Sequence, residues 1–210
     1  MLKRLASLGL LHAIHPDLTW DDWLDDRFEL LSLEDPVQTD EDQHVNPENR
    51  TELQTRRRQL AYCVWLLRLA SDKIDAVCER LHYPRNQIIQ IRASSELWRK
   101  LPEFLTLLPS QIVTRLDEVH PIAISACRHA AKGTEAERIL SSYLSEWRNI
   151  RANYSGIDLR KRGIPPGPVY KQILFNLRSA WLNGQVHSVD EESELFNCLV
   201  DEALQALQAS

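Results

Sequence analysis

Apolar residues recur at helical spacing along most of the chain, so the pattern predicts helices rather than strands. Leucines at positions 2, 5 and 8 predict an opening helix to about His12, and Pro16 prevents that helix from continuing. A second helix is predicted from Trp20 to about Leu31, with Thr19 as its N-cap. The first 31 residues therefore predict two helices.

An acidic and polar stretch, residues 34–47, interrupts this pattern and predicts an exposed, mobile loop and an internal boundary. Pro47 then starts a long helix to about Ala70, whose second half is apolar on nearly all sides and predicts a central, packed helix. Further helices are predicted at 71–81, 84–98, 110–119, 121–132, 135–153 and 168–183, and one after Ser188.

This pattern predicts an all-α protein with an elongated multi-helix body and a small C-terminal helical tail. Only 6 of the 210 residues are glycine and β-branched runs are few, which argues against a sheet protein and against a glycine-rich nucleotide fold. The predicted domains are residues 1–45 (helices and acidic loop), 46–153 (helical body) and 154–210 (tail).

The net charge of −5 conceals a strong asymmetry along the chain. Residues 1–53 contain 4 basic and 13 acidic side chains, residues 54–183 contain 21 and 11, and residues 184–210 contain none and 6. The middle segment therefore has a net charge of +10 between two acidic ends. Such a segment favours a nucleic-acid partner, although the average charge alone argues against one.

Other features indicate a cytoplasmic protein without a membrane segment. The N-terminus lacks a signal-peptide pattern, and no window reaches the roughly 18 apolar residues that a membrane-spanning helix requires. The cysteines form no CxxC pair, so we expect buried free thiols in a reducing compartment rather than a zinc or redox site. These are Cys63, Cys78, Cys127 and Cys198.

Enzyme motifs such as a P-loop or a serine nucleophile elbow are absent from the sequence. Two groups of residues could be considered as metal ligands. One is the acidic cluster 21–26, which contains four aspartates and also fits a helix start favoured by the macrodipole. The other is His12 with His15, for which Pro16 and the lack of a third ligand favour ordinary surface histidines. We predict no catalytic residue, metal or cofactor in this chain.

Two further segments are compatible with nucleic-acid binding. Residues 71–99 fit a helix-turn-helix, although the isoleucines at 88, 89 and 91 leave little polar face for reading bases. On the long helix, Arg56, Arg57 and Arg58 fan around the helix axis, so at least two must face solvent. They fit either phosphate binding or neutralisation of the acidic loop that precedes them.

The segment from Gly156 to Pro168 carries the strongest signal. Gly163 permits a left-handed helix end, two prolines stiffen the turn, and Gly167 allows another backbone to approach closely. A helix starts at Pro168, so its free N–H groups and nearby cations favour an anion such as a phosphate. The candidate RNA-binding residues are Arg56, Arg57, Arg58, Arg160, Lys161, Arg162, Gly163, Gly167, Lys171 and Arg178. A rigid connector with a solvated basic face is the alternative.

At this motif the chain resembles the C-terminal region of bacterial tRNA nucleotidyltransferases, meaning CCA-adding enzymes and related poly(A) polymerases. That region carries a G-x-D-L segment, then G-[LI]-x-P-G-P, and an acidic start to the last helix. A weaker resemblance, from Leu5 to Leu18, is to the segment that follows the nucleotide-binding neck. The matching residues of the tail are Gly156, Asp158, Leu159, Gly163, Ile164, Pro166, Gly167, Pro168, Ile173, Leu174, Ala180, Gly184, Glu191, Glu192 and Glu194.

The resemblance implies a body and tail that grip tRNA, without the catalytic head and neck of the family. The glycine-containing loop, the Asp-x-Asp metal pair and the nucleotide-selecting motif of the head and neck cannot be placed in this chain. By resemblance, it positions RNA 3′ ends for a head that uses Mg²⁺ and ATP or CTP, and we do not expect it to add nucleotides alone. The alternatives are a helical interaction subunit that completes a separately encoded head, and a helix-turn-helix DNA-binding protein.

Overall fold

The computed structural model describes residues 2–33 and 47–208, and the regular secondary structure within these ranges is entirely helical, which confirms the all-α prediction. Residues 34–46, which contain the predicted acidic loop, lie outside the described residues. The helices are α1 (Leu2–Ser7), α2 (Leu10–Ile14), α3 (Asp22–Leu33), α4 (Pro47–Leu66), α5 (Ser71–Arg80), α6 (Arg85–Phe104), α7 (Pro109–Leu116), α8 (Pro121–Ala130), α9 (Glu135–Ser145), α10 (Gly156–Lys161), α11 (Pro168–Leu182) and α12 (Val189–Gln208), with a 3₁₀ turn at Trp147–Asn149.

Two details of the N-terminal helices differ from the prediction. Gly9 has φ +71°, in the left-handed region, and therefore breaks the predicted opening helix into α1 and α2. The N-cap of α3 is Asp21 rather than Thr19, because the Asp21 carboxylate accepts a hydrogen bond from the backbone N–H of Leu24 at 3.0 Å.

Three later boundaries also differ. Helix α6 extends to Phe104, beyond the predicted end at about Trp98, and includes Pro102 in its last turn at the loss of one backbone hydrogen bond. Helix α9 ends at Ser145 instead of continuing to residue 153, and α10 is absent from the predicted helices. By contrast, the predicted caps of the last helix are confirmed, since the N–H of Glu191 donates to Ser188 Oγ at 3.2 Å.

The described helices form two compact units. The first comprises Met1–Leu105 with Glu118–Ser141, and the second comprises Thr106–Asp117 with Ser142–Ser210. In the first unit, the second half of α4 is the predicted central helix: it packs against α6 and α8, and its residues Cys63, Val64 and Leu66 are fully buried. The division into three domains stays a prediction.

The second unit has its own core beneath α10, α11 and α12. Leu159 of α10, Ile173 and Leu177 of α11, and Phe196 of α12 are buried together there. The Tyr154 ring stacks on Phe196 with ring centres 3.9 Å apart and an interplanar angle of 3°. This core fixes both helices that flank the predicted phosphate-binding turn.

Three of the four cysteines are buried as predicted, and the fourth is not. Burial raises the pKa of Cys63 to about 11, so that thiol is protonated and unreactive at neutral pH. Cys198, however, is exposed on α12, which corrects the expectation that all four are buried. Across the described ranges, no helix combines the length and apolar character needed to span a membrane.

Candidate nucleic-acid interface

Helix α10 carries Arg160 and Lys161, Arg162 follows directly as its C-cap, and Ser155 fixes where the helix starts. The backbone N–H and the hydroxyl of Ser155 both donate to Asp158 Oδ2, at 3.0 and 2.8 Å. These hydrogen bonds hold the pKa of Asp158 below its usual range, so the carboxylate remains ionised at neutral pH. The S-x-x-D spacing is the sequence signal that could have revealed this helix.

The end of α10 has the predicted left-handed glycine. Gly163 has φ +86°, and the N–H of Ile164 donates back to the carbonyl of Leu159 at 3.3 Å, so the chain turns sharply. Ile164 is 1% exposed and anchors the turn in the core of the second unit. The buried Ile164 side chain therefore holds the turn in place, while the basic side chains of the turn remain on the surface.

The other glycine of the motif, Gly167, does not have the predicted role within this chain. Its φ of 176° is extended backbone that any residue adopts, and a Cβ placed there would approach only the Pro165 carbonyl oxygen, at 4.0 Å. No close approach of described backbone therefore requires glycine at this position. The surface in front of Gly167 is open.

The contrast between these two glycines gives a test of the turn. We expect Gly163→Ala to lower the free energy of unfolding by about 1 kcal/mol, because its positive φ disfavours a Cβ. Gly167→Ala is the matched control and should leave stability unchanged. Urea denaturation followed by circular dichroism measures both, and equal stabilities of the two variants would contradict the role assigned to Gly163.

Tyr170 holds the turn in a way that the sequence pattern does not reveal. Its hydroxyl donates to the carbonyl oxygen of Ile164 at 2.8 Å. Its ring lies against Gly156, where a Cβ would come within 3.3 Å of the ring. One side chain of α11 thus contacts both the start of α10 and the turn after it.

The basic triplet is exposed, and its members differ in how they are held. Arg162 Nη2 donates to Asn197 Oδ1 at 2.6 Å, and its guanidinium lies 5.9 Å from the ring centre of Phe196. Lys161 Nζ lies 3.6 Å from an Asp158 carboxylate oxygen. Among the described residues, Arg160 and the exposed Lys171 have no ion-pair partner, so their charges are available to a ligand.

Arg178 has intrachain partners instead. Its Nη1 donates to Asp117 at 2.7 Å and its Nε donates to the carbonyl of Ile150 at 3.0 Å. The same Asp117 side chain accepts a hydrogen bond from the hydroxyl of Tyr143 at 3.0 Å. Asp117 is 61 residues from Arg178 in sequence, so helical spacing contains no sign of this pair.

The second predicted basic group lies on α4 in the first unit. Arg56 and Arg58 are exposed, whereas Arg57 is half-buried and donates to the carbonyl of Leu31 at 3.2 Å. The expectation that at least two of the three face solvent is confirmed.

Two aspartates of the acidic cluster 21–26 form contacts within the fold. Asp21 accepts a hydrogen bond from Arg68 at 2.7 Å, and Asp25 accepts from Lys3 at 2.6 Å and from Trp20 Nε1 at 2.7 Å. The bonds from Lys3 and Trp20 lower the pKa of Asp25. Among the described residues, which include His12 and His15, no group of three potential metal-ligating side chains occurs.

The helix-turn-helix alternative corresponds to α5 and α6. Arg92 of α6 forms an ion pair with Asp75 of α5. Ile89 of the same helix is 56% exposed, whereas Arg85 and Asn86 at the start of the helix are exposed polar residues. The exposed side of α6 therefore mixes an apolar side chain with polar ones, which makes it a poor surface for reading base edges.

Comparison with known proteins identifies individual relatives of this chain, although no protein-family model matches it. It is 28% identical to the A-adding tRNA nucleotidyltransferase of Geobacter sulfurreducens over an alignment of 232 positions, which covers 96% of this chain and 23% of that enzyme. The chain therefore spans about a quarter of the length of this curated relative.

Solved structures show the same fold. The Thermotoga maritima CCA-adding enzyme complexed with tRNA has a TM-score of 0.62 and 20% identity, covering 98% of this chain and 47% of that one. A CCA-adding enzyme with CTP has a TM-score of 0.62 and 19% identity, covering 98% and 46%. The resemblance seen in the sequence is confirmed: nearly the whole chain is similar to one part of the tRNA nucleotidyltransferases, a part that fits their body and tail.

Proposed function

We propose that this chain binds tRNA or another structured RNA through backbone phosphates and positions the RNA 3′ end for a catalytic head outside the chain. The observation that carries the proposal is the full-length similarity to part of enzymes that act on tRNA, one of them solved with tRNA bound. The net charge of +10 over residues 54–183 supports it. The proposed setting is the cytoplasm.

The turn between α10 and α11 is the proposed phosphate-binding site. Arg160, Lys161 and Lys171 present exposed cations around it, and the open surface at Gly167 allows a sugar-phosphate backbone to come close. A-form RNA hides its base edges in a deep major groove, so contacts to phosphates and to helix shape suit this task. The chain itself catalyses no step in this proposal, and Mg²⁺ with ATP or CTP belongs to the head.

The test is tRNA binding by the triple variant Arg160→Ala/Lys161→Ala/Arg162→Ala across a salt series. Each phosphate that the variant no longer neutralises should reduce the slope of log affinity against log salt by roughly 0.7 to 0.9. The matched control is Arg4→Ala/Arg85→Ala/Lys100→Ala, which removes the same charge from exposed positions of the first unit. We expect the first variant to bind more weakly with a shallower slope than the control.

Three results would contradict the proposal. Equal losses of affinity in both triple variants would show that net charge, rather than the α10–α11 turn, determines binding. Failure of the unmodified chain to bind tRNA, or tighter binding to duplex DNA in direct competition, would exclude the proposed function itself.

A second candidate function is supported by the exposed leucines of the N-terminal segment. Leu8 is 62% and Leu10 is 45% exposed, which suits a surface that another polypeptide covers. We propose, as the alternative, an interaction subunit that completes a separately encoded nucleotidyltransferase head. Co-purification tests it, and a monomer without an associated nucleotidyltransferase would contradict it.

A further inference from the structure

A pocket of about 380 Å³ opens in the first unit, between α3, α6 and the start of α9. This volume is near the lower end of the roughly 300–1,000 Å³ usual for small-molecule sites. Two tryptophans, Trp23 and Trp98, form part of its wall, together with Leu101, Ala136 and the side chain of Arg27. None of these residues belongs to the phosphate-binding turn proposed above.

Arg68, which does not line the pocket, lies over Trp23 with its guanidinium 4.5 Å from the ring centre, and the two tryptophans offer the remaining flat apolar surface. Their ring centres lie 6.0 Å apart and the ring planes are inclined by 57°. Both side chains are half-buried, so they are held by the fold but keep some surface accessible. Aromatic side chains of this kind stack on nucleobases whatever the base, because every base has a π-face.

The charges around the pocket select for an anion. The Arg27 Nε is buried and has no hydrogen-bond partner among the described residues, and its guanidinium lies 5.7 Å from the ring centre of Trp23. Glu135, the acidic residue of the wall, is paired with Arg138 at 2.8 Å. The wall therefore combines stacking surface with a positive charge that has no ion-pair partner within residues 2–33 and 47–208.

Arg27 is held in place through its backbone as well. Its carbonyl oxygen accepts a hydrogen bond from the ring of the buried His129, with Nε2 at 2.8 Å. The backbone of Arg27 is thereby fixed, and its guanidinium near the Trp23 ring fits a ligand that is both flat and anionic. An apolar side chain of a protein partner would use the rings and leave the arginine without a role.

We propose that this pocket binds one unpaired base of an RNA strand, stacked on the tryptophans, with its phosphate at Arg27. The proposal rests on the proposed function for the source of the ligand and adds a single-strand site to it. Structured RNA would then be bound in two ways, through helix phosphates at the α10–α11 turn and through an unpaired nucleotide here.

Binding of a six-nucleotide oligoadenylate, measured by tryptophan fluorescence quenching, tests the pocket. Trp98→Leu should weaken hexamer binding about tenfold, the effect of losing one stacking side chain. Ala136→Leu should weaken it similarly by filling the pocket, while both tryptophans and the helix remain. Trp147→Leu is the matched control, since this half-buried tryptophan does not line the pocket, and it should bind like the unmodified chain.

The outcomes separate this inference from the proposed function. Binding of a blunt RNA duplex should be unchanged in all three variants. If the unmodified chain does not bind the hexamer, or if Ala136→Leu and a folded Trp98→Leu bind it normally, the pocket proposal is overturned while tRNA binding by the turn remains intact. If the hexamer binds as predicted but tRNA and duplex do not, the proposed function fails and the pocket stands.

Discussion

Leu177→Ala should lower the free energy of unfolding by about 3 kcal/mol. Leu177 is fully buried in the core of the second unit, with Leu159, Ile164 and Phe196 in the same cluster. Truncation to alanine removes the transfer free energy of the deleted carbons and leaves a cavity that rigid helices fill only partly, at a typical cost of about 2–5 kcal/mol. Urea denaturation followed by circular dichroism measures the change.

The matched control for this variant lies two residues earlier on the same helix. Phe175 is 48% exposed, so Phe175→Ala removes a larger side chain but should cost less than about 1 kcal/mol. Similar destabilisation in the two variants would show that the core beneath α11 is not the one that stabilises this unit.

Glu192→Ala should lower the free energy of unfolding by about 2–3 kcal/mol, for a different reason. Glu192 is fully buried, and its carboxylate accepts the backbone N–H of Asn153 at 2.9 Å and the Asn153 side-chain amide at 2.5 Å. Removing it deletes two hydrogen bonds to a charged acceptor, each contributing roughly 1.5–3 kcal/mol, and water at the exposed Asn153 replaces part of that contribution. The same denaturation experiment measures the change.

Glu192→Gln distinguishes the removal of hydrogen bonds from the removal of volume. Glutamine keeps the shape and one carbonyl acceptor, so it should recover part of the stability missing in the alanine variant. A glutamine variant as unstable as the alanine variant would mean that the charge itself is required, whereas a fully stable alanine variant would contradict a structural role for this carboxylate.

The fold is predictable from sequence to the extent that its signals are local. Helix periodicity, the left-handed Gly163 and the Ser188 cap all act within a few residues, and the structure confirms them. The helical pattern does not predict the break at Gly9, because a glycine inside such a pattern is sometimes tolerated. It does not predict α10 either, because a helix of six residues is too short to show periodicity.

The candidate site is less predictable because its decisive contacts are distant in sequence. The triplet and Lys171 are recognisable as exposed cations from their neighbours alone. That Arg178 binds Asp117, that Tyr170 reaches the Ile164 carbonyl, and that Trp23 meets Trp98 depends on how the helices pack. Side-chain pairs joined only by tertiary packing leave no trace in local spacing.

The hydrogen bond from Arg162 to Asn197 also bears on the entropy of binding. An arginine already restrained to one rotamer loses little freedom when a phosphate arrives, whereas Arg160 and Lys171 each lose about 0.5–1.5 kcal/mol in ordering. The restrained side chain is therefore preorganised, and the two without an ion-pair partner can adapt to backbones of different shape. If the chain binds RNA as proposed, one preorganised and two adaptable cations would allow the same surface to bind different RNA sequences.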